Sequence, residues 1–125
     1  MWPYFFILVV HFFSDFVLQT REMARNKSNS FYFLTLHVFV YTFSTVLLWI
    51  ICLPIFFNLE LTLREVSLTI WFVFITHWLT DKITSNITKY YHKVENEKMF
   101  FTTIGADQVL HFLQMFWVFD NIILK

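Results

Sequence analysis

The chain has 125 residues, of which 58% are hydrophobic, 22% aromatic and only 14% charged, and its formal net charge is zero. A soluble domain carries roughly 25% charged residues, so this composition argues against a soluble protein and favours a membrane protein. The zero net charge gives no electrostatic basis for binding nucleic acid, and the single cysteine, Cys52, excludes an internal disulfide framework.

Four apolar stretches have about the length that a helix needs to cross a bilayer. They cover residues 2–20, 31–53, 66–85 and 103–124. The pattern predicts an all-α polytopic membrane protein, with residues 1–125 forming a single domain built as a bundle of four transmembrane helices. The first stretch lacks the basic start and the cleavage site of a signal peptide, so we expect it to be retained. Pro54 is expected to end the second stretch.

The basic residues lie mainly in two of the connections. Arg21, Arg25 and Lys27 follow the first stretch, whereas Lys82, Lys89, Lys93 and Lys98 follow or end the third. Because basic loops tend to stay in the cytoplasm, both termini are expected on the outer side of the membrane. The sequence therefore predicts a multi-pass membrane protein; if it is made in a bacterium or a phage-infected host, the membrane is the inner membrane.

Polar residues recur at helical spacing inside these apolar stretches. His11, Asp15 and Gln19 are spaced four apart, which places them on one face of a helix. Each stretch also contains one histidine, and three of the stretches contain an aspartate four positions from it. The seven residues are His11, Asp15, His37, His77, Asp81, Asp107 and His111. Ionisable groups at membrane depth cost a few kcal/mol each, so the set needs a common explanation.

The order of these residues along the chain predicts two layers. The first and third stretches have histidine before aspartate, whereas the fourth, which runs the other way, has aspartate before histidine. All the histidines are therefore expected about 9–14 Å from the cytoplasmic face, with the aspartates about one turn nearer to it. We expect the side chains to point inward and meet, and the like-oriented His-x3-Asp pairs suggest two repeated hairpins.

Imidazole nitrogens and carboxylate oxygens are typical ligands of zinc, and also of manganese or iron. All seven residues are therefore candidate metal ligands, and Asp15, Asp81 and Asp107 are candidate catalytic bases. Gln19, Gln108 and Ser85 are expected to hydrogen-bond to the ligands and orient them. A metal near the cytoplasmic leaflet could hydrolyse a membrane-associated lipid or phosphoester substrate.

Other interpretations stay open. A single His or Asp in a membrane helix usually forms a helix–helix hydrogen bond. A His/Asp chain could also conduct ions or protons, with a homo-oligomer compensating for the short chain. A structural protein, or one acting between phage and host, is a third possibility.

Gly105 is expected at a turn or close approach, with Asp107 in the first turn of the fourth helix.

A family resemblance rests on three segments of the chain, which are HFFSDFVLQTREMARNKS, THWLTDKITSNITK and FFTTIGADQVLH. The chain resembles a domain-of-unknown-function family of small bacterial and phage membrane proteins with four helices. That resemblance implies a four-helix membrane protein whose signature falls on His11, Asp15, Gln19, His37, His77, Asp81, Asp107, Gln108 and His111. Asn86 departs from it, since the family often has arginine there. A looser similarity to membrane-bound metal-dependent hydrolases is an analogy only.

Overall fold

The computed structural model describes residues 2–125 and confirms the all-α class, with no strand in that range. The helices are α1 (Trp2–Phe12), α2 (Arg21–Asn26), α3 (Phe31–Phe57), α4 (Leu63–Lys93) and α5 (Glu97–Val118). A π-helical turn, Phe13–Val17, extends α1, and a second, Phe119–Ile123, extends α5. Such turns widen the helix locally and are frequent at functional sites.

Polar caps define where the helices begin. The side chains of Thr20, Ser30 and Asn96 each accept a hydrogen bond from a backbone N–H in the first turn of α2, α3 and α5 respectively. Thr62 and Glu65 form a reciprocal capping box at the start of α4. These interactions satisfy N–H groups that have no partner within the helix, so they fix the helix starts locally.

Three helix boundaries differ clearly from the expectations, and one of them is the end of α4, which runs to Lys93 instead of stopping near residue 85. Helix α3 continues through Pro54 to Phe57 and ends where Asn58 adopts a left-handed conformation. Asparagine tolerates that conformation better than most residues, so the stop lies at Asn58 and not at the proline. Helix α5 begins at Glu97, which places Asp107 well inside the helix and not in its first turn.

The four long helices form a closed ring. Helix α4 packs against α3 and α5, and α1 also contacts both α3 and α5. Each helix therefore has two neighbours and directs one face to a common centre. At the end where α1 begins, this centre is apolar and contains Ile7, Trp49, Leu53 and Phe119. Farther along, it is occupied by polar side chains.

The interior of this fold is unusually polar, and much of its apolar surface is exposed. Within residues 2–125, fourteen buried residues are hydrophobic and fourteen are polar or charged, whereas 33 large hydrophobic side chains are exposed. Exposed apolar surface of this extent marks contact with lipid or with another protein. Helix α3 is the one described helix long and apolar enough to span a membrane by length and composition, and Trp2–Val17 is apolar but shorter.

Two tryptophans provide a matched test of this packing. Trp49 is fully buried, whereas Trp71 is 67% exposed. We expect Trp49→Ala to lower the free energy of unfolding by about 3–5 kcal/mol, because it leaves a cavity in the apolar centre. Trp71→Ala should cost less than about 1 kcal/mol. Unfolding of the detergent-solubilised protein, followed by circular dichroism, measures both, and equal losses would contradict the described packing.

Candidate functional site

The seven His and Asp residues singled out in the sequence meet in the centre of the ring. All seven are buried, and they come from α1 and its π-helical turn, α3, α4 and α5. The π-helical turn contributes Asp15, which lies 3.1 Å from His37 of α3. Helix α4 contributes both His77 and Asp81, one turn apart on its buried face.

Four donor atoms, from two histidines and two aspartates, lie close together in the cluster and are here called the four-donor group. His37 Nε2 lies 3.1 Å from both Asp15 Oδ1 and Asp81 Oδ2. His77 Nε2 lies 3.3 Å from His37 Nε2, 3.7 Å from Asp15 Oδ1 and 3.6 Å from Asp81 Oδ2. Four ligands around a tetrahedral zinc, with bonds of about 2.0–2.1 Å, lie about 3.3 Å from one another. These five separations are close to that value. Asp15, His37 and His77 also bring one ligand atom each within 4.8 Å of one another, a spacing at which they can share a divalent metal.

A second group shares Asp81 with the first. His111 Nε2 lies 3.0 Å from Asp81 Oδ1 and 3.3 Å from Asp107 Oδ1. The two oxygens of Asp81 thus face different groups, as in a bridging carboxylate. His77, Asp81 and His111 also bring one ligand atom each within 4.8 Å of one another. The His111 ring stacks on the His77 ring with centroids 4.0 Å apart, which fixes both ring planes.

The structure places His11 at the edge of the cluster. Its Nδ1 lies 2.8 Å from the Tyr41 hydroxyl and its Nε2 lies 3.1 Å from Gln108 Oε1. Both ring nitrogens therefore already have hydrogen-bond partners. Tyr41 also stacks on His77 with ring centroids 3.9 Å apart. His11 and Tyr41 together hold the imidazole of His77 in place.

Lys27 is the one lysine or arginine within residues 2–125 that forms a salt bridge. Its ammonium donates a hydrogen bond of 3.2 Å to Asp81 Oδ2, which also belongs to the four-donor group. Burial by itself lowers the pKa of Lys27, but the carboxylate of Asp81, followed by those of Asp15 and Asp107, raises it above its usual value. Lys27 is therefore a fixed cation beside the site.

With neutral histidines, the site has more negative than positive charge. Asp15, Asp81 and Asp107 bring three carboxylates, and Lys27 brings one ammonium, so two negative charges remain when the histidines are neutral. Within residues 2–125, Asp15 Oδ1 is buried and has no hydrogen-bond partner of suitable geometry, although His37 Nε2 lies 3.1 Å from it. A divalent cation matches this deficit, since buried charge is costly unless it is paired.

The three residues expected to orient the ligands differ in whether they hydrogen-bond to a ligand. Gln108 Nε2 donates to Asp107 Oδ2 over 3.1 Å, and Gln108 also contacts His11. Gln19 and Ser85 do not hydrogen-bond to a ligand; Gln19 Oε1 and Ser85 Oγ are buried without partners and lie in a cavity wall. The expected close approach at Gly105 is wrong, because no atom lies within 4 Å of the position that a side chain there would take.

Sequence reasoning missed three site residues. Tyr41 follows His37 by one helical turn, and this spacing could have indicated it. Thr84 donates a 2.5 Å hydrogen bond to Asp107 Oδ1, and it follows Asp81 within the next turn of α4. Lys27 carries no local signal, because only the fold brings the loop between α2 and α3 to Asp81.

A cavity of about 620 Å³ leads to the cluster from the end where α2 lies. Asp15, Gln19, Asp107 and Gln108 form its inner wall, whereas Arg25, Lys89 and His92 lie toward α2 and the end of α4. His92 is exposed, as expected for a surface residue. The cavity gives small molecules access to Asp15 and Asp107.

Fold and site together define an all-α protein with a buried His/Asp cluster at the meeting point of its helices. Residues 4–125 match the model of the family DUF3307, described as a protein of unknown function, and the chain belongs to this family. This membership confirms the resemblance to a family of unknown function. Neither curated proteins nor solved structures give a match to the chain.

Removing the ammonium of Lys27 should destabilise the protein. We expect Lys27→Met to cost about 3–5 kcal/mol of unfolding free energy, because it leaves Asp81 without its lysine partner in a buried setting. Lys82→Met is the matched control, since Lys82 is exposed and forms no salt bridge within residues 2–125. Thermal unfolding of the metal-free protein in detergent compares them, and equal stability of the two variants would show that the Lys27–Asp81 contact is not formed.

Proposed function

We propose that the chain is a four-span membrane protein whose His/Asp cluster holds a divalent metal, zinc first and manganese or iron as alternatives. In this proposal the metal site hydrolyses a membrane-associated substrate near the cytoplasmic leaflet. The observation that carries the proposal is the four-donor group of Asp15, His37, His77 and Asp81, in which each histidine Nε2 lies 3.1–3.7 Å from both carboxylates and 3.3 Å from the other Nε2.

The exposed side chains support the four spans. On α4, Trp71, Ile75, Leu79 and Ile83 are exposed, whereas His77 and Asp81 between them are buried. A hydropathy average over α4 therefore counts polar residues that never face the surroundings. Helix α5 follows the same rule, with Leu113 and Trp117 exposed and His111 buried. In lipid this arrangement is favourable, because polar groups gain partners inside the ring and apolar groups contact acyl chains.

The chemistry assigned to the site is that of metal-assisted hydrolysis. A divalent metal, when bound, supplies a Lewis acid for a carbonyl or phosphoryl oxygen and makes water more acidic. His37 and His77 offer neutral nitrogen donors, and Asp81 offers one oxygen to each half of the cluster. The stacking of His77 between Tyr41 and His111 keeps its Nε2 directed at the centre.

Asp107 is our choice for the general base. It lies outside the four-donor group and lines the cavity, so its carboxylate can accept a proton from water without giving up a ligand position. Thr84 donates to one of its oxygens and Gln108 to the other, which fixes the orientation of the carboxylate. Asp15 also lines the cavity, but it belongs to the four-donor group.

Metal content is the first test of this function. Protein purified in detergent should contain about one metal ion per chain by elemental analysis, and His77→Ala should reduce the content to below about one tenth of that, because a ligand is lost. His92→Ala should leave the content unchanged, since His92 is exposed and lies outside the donor groups. A folded wild-type protein that takes up no metal from a zinc-containing buffer would refute the metal site.

Turnover is the second test. Vesicles that contain phosphatidic acid and phosphatidylglycerol should release phosphate or fatty acid when the metal-loaded protein is present. Asp107→Asn should lower the rate by about 10²–10⁴-fold while metal content stays near the wild-type value, because it removes a base and not a ligand. An Asp107→Asn variant as fast as wild type would refute the assigned role of Asp107.

A second function, conduction of ions or protons, is favoured by a separate observation. Within the described residues, 2–125, the buried hydroxyls of Thr42, Thr45 and Thr69 have no hydrogen-bond partner, and neither has the indole N–H of Trp49. These groups lie on α3 and α4 on the side of the cluster away from α2. Buried polar groups usually have a partner, and ordered water is a common one. A water file through these positions would connect the cluster to the opposite end of the ring.

Flux measurements distinguish the two functions. If the chain conducts, liposomes containing it should dissipate an imposed proton gradient, and Thr45→Val should slow this by about tenfold while metal content is unchanged. Thr102→Val is the control, because Thr102 is exposed. Proton permeability equal to that of empty liposomes would exclude conduction of protons and favour the hydrolase.

A further inference from the structure

The cavity that leads to the cluster has walls of two kinds. Its charged side chains near α2 and the end of α4 are basic, namely Arg25, Lys27, Lys89 and His92. Phe16 of the π-helical turn and Phe100 and Ile104 of α5 make another part of the wall apolar. Such a combination fits an amphiphile with an anionic head better than a small polar solute.

Two of the cavity's cations lack an acidic partner. Arg25 and Lys89 form no salt bridge with any carboxylate in residues 2–125, although Lys89 donates a hydrogen bond to Asn29. The two side chains come from α2 and α4, so the fold brings them to one opening from distant positions in the chain. Ser85 adds a hydroxyl that is buried without a partner in the same wall. Arginine, lysine and a free hydroxyl are typical donors to phosphate oxygens.

We propose that this cavity binds a lipid whose headgroup carries an anionic phosphate, with the phosphate held by Arg25 and Lys89. The inference rests on the proposed function in one respect, because it makes such a lipid the substrate of the adjacent metal site. Lipid binding itself does not require the metal.

The apolar wall favours a lipid over free phosphate. Phe16 is 43% exposed although it lines the cavity, so the cavity reaches the outer surface of the ring beside the π-helical turn. Ile104 and Phe100 line the cavity from α5 and belong to the same wall. An acyl chain can pass this wall into the surrounding lipid while the head stays between Arg25 and Lys89. Inorganic phosphate would leave the apolar wall without contact.

The position of Arg25 and Lys89 also favours a membrane lipid as the source of the phosphate. Arg25 and Lys89 belong to the two basic segments that the charge distribution assigns to the cytoplasmic side. Cations at this level lie beside the headgroup layer, where anionic lipids attract them. A cavity entered from that layer meets lipid heads at far higher local concentration than dissolved esters.

The test measures binding of three probes to the full chain in a phosphate-free maltoside detergent, by titration calorimetry. The probes are dihexanoyl phosphatidic acid, dihexanoylglycerol without phosphate, and inorganic phosphate without acyl chains. We expect phosphatidic acid to bind at least about tenfold more tightly than either other probe. The double variant Arg25→Ala/Lys89→Ala should weaken its binding about tenfold or more, because two charge-assisted hydrogen bonds are lost.

A second double variant is the matched control. Arg21→Ala/Lys93→Ala removes the same charges from the same two helices, four positions away, at residues that do not line the cavity. Its affinity for phosphatidic acid should stay within twofold of wild type. An equal loss in the two double variants would overturn the proposal, because binding would then follow surface charge alone. Equal binding of dihexanoylglycerol or of inorganic phosphate would overturn it as well.

Metal content separates this inference from the proposed function. Both double variants should keep the wild-type metal content, which also shows that the cluster remains assembled. Phosphatidic acid binding that depends on Arg25 and Lys89 in a protein that holds no metal would support the lipid site and refute the hydrolase. Normal metal content together with phosphatidic acid binding that does not depend on Arg25 and Lys89 would refute the lipid site and leave the metal site standing.

Discussion

The carboxylate of Asp81 is the point on which the rest of the site depends. One of its oxygens lies 3.1 Å from His37 and 3.2 Å from Lys27, and the other lies 3.0 Å from His111. Three parts of the fold, α3, α5 and the segment after α2, therefore meet at one side chain of α4. A buried carboxylate is stable only when such partners surround it, so the position of Asp81 constrains how the helices can assemble.

The polar centre and the apolar exterior of the ring are two faces of the same helices. Polar groups on α4 and α5 turn inward because they find partners there, and the faces left outside carry residues such as Trp71 and Leu113. Averaged over both faces, α4 and α5 are not apolar enough to be candidate membrane spans, because the average includes the polar residues inside the ring. Such an arrangement is favourable in an apolar environment, and this is the basis of the proposed location in a membrane.

Much of this arrangement follows from spacing in the sequence. The four-residue intervals of His11–Asp15, His77–Asp81 and Asp107–His111 were sufficient to predict that each pair shares a helix face and that the faces meet. Spacing did not distinguish the roles of the histidines. His11 reaches Tyr41 and Gln108, whereas His37 and His77 face the four-donor group.

Other features depended on information that local patterns do not contain. Lys27 lies in a connection and reaches Asp81 only because α2 folds back beside α3. The π-helical turn at Phe13–Val17 could not be read from a regular helical repeat, although it carries Asp15 toward His37. Capping residues, by contrast, were present in the sequence at Thr62 and Glu65, and they set the start of α4 ahead of its apolar stretch. Membership of DUF3307 extends over residues 4–125 and leaves function to be argued from the site.

X-ray absorption spectroscopy of the zinc-loaded protein in detergent tests the central claim most directly. The account predicts a shell of about four nitrogen and oxygen ligands at about 2.0–2.1 Å, with the multiple scattering of two imidazole rings. A spectrum of hydrated zinc without imidazole scattering, or one with sulfur from Cys52 in the shell, would contradict it.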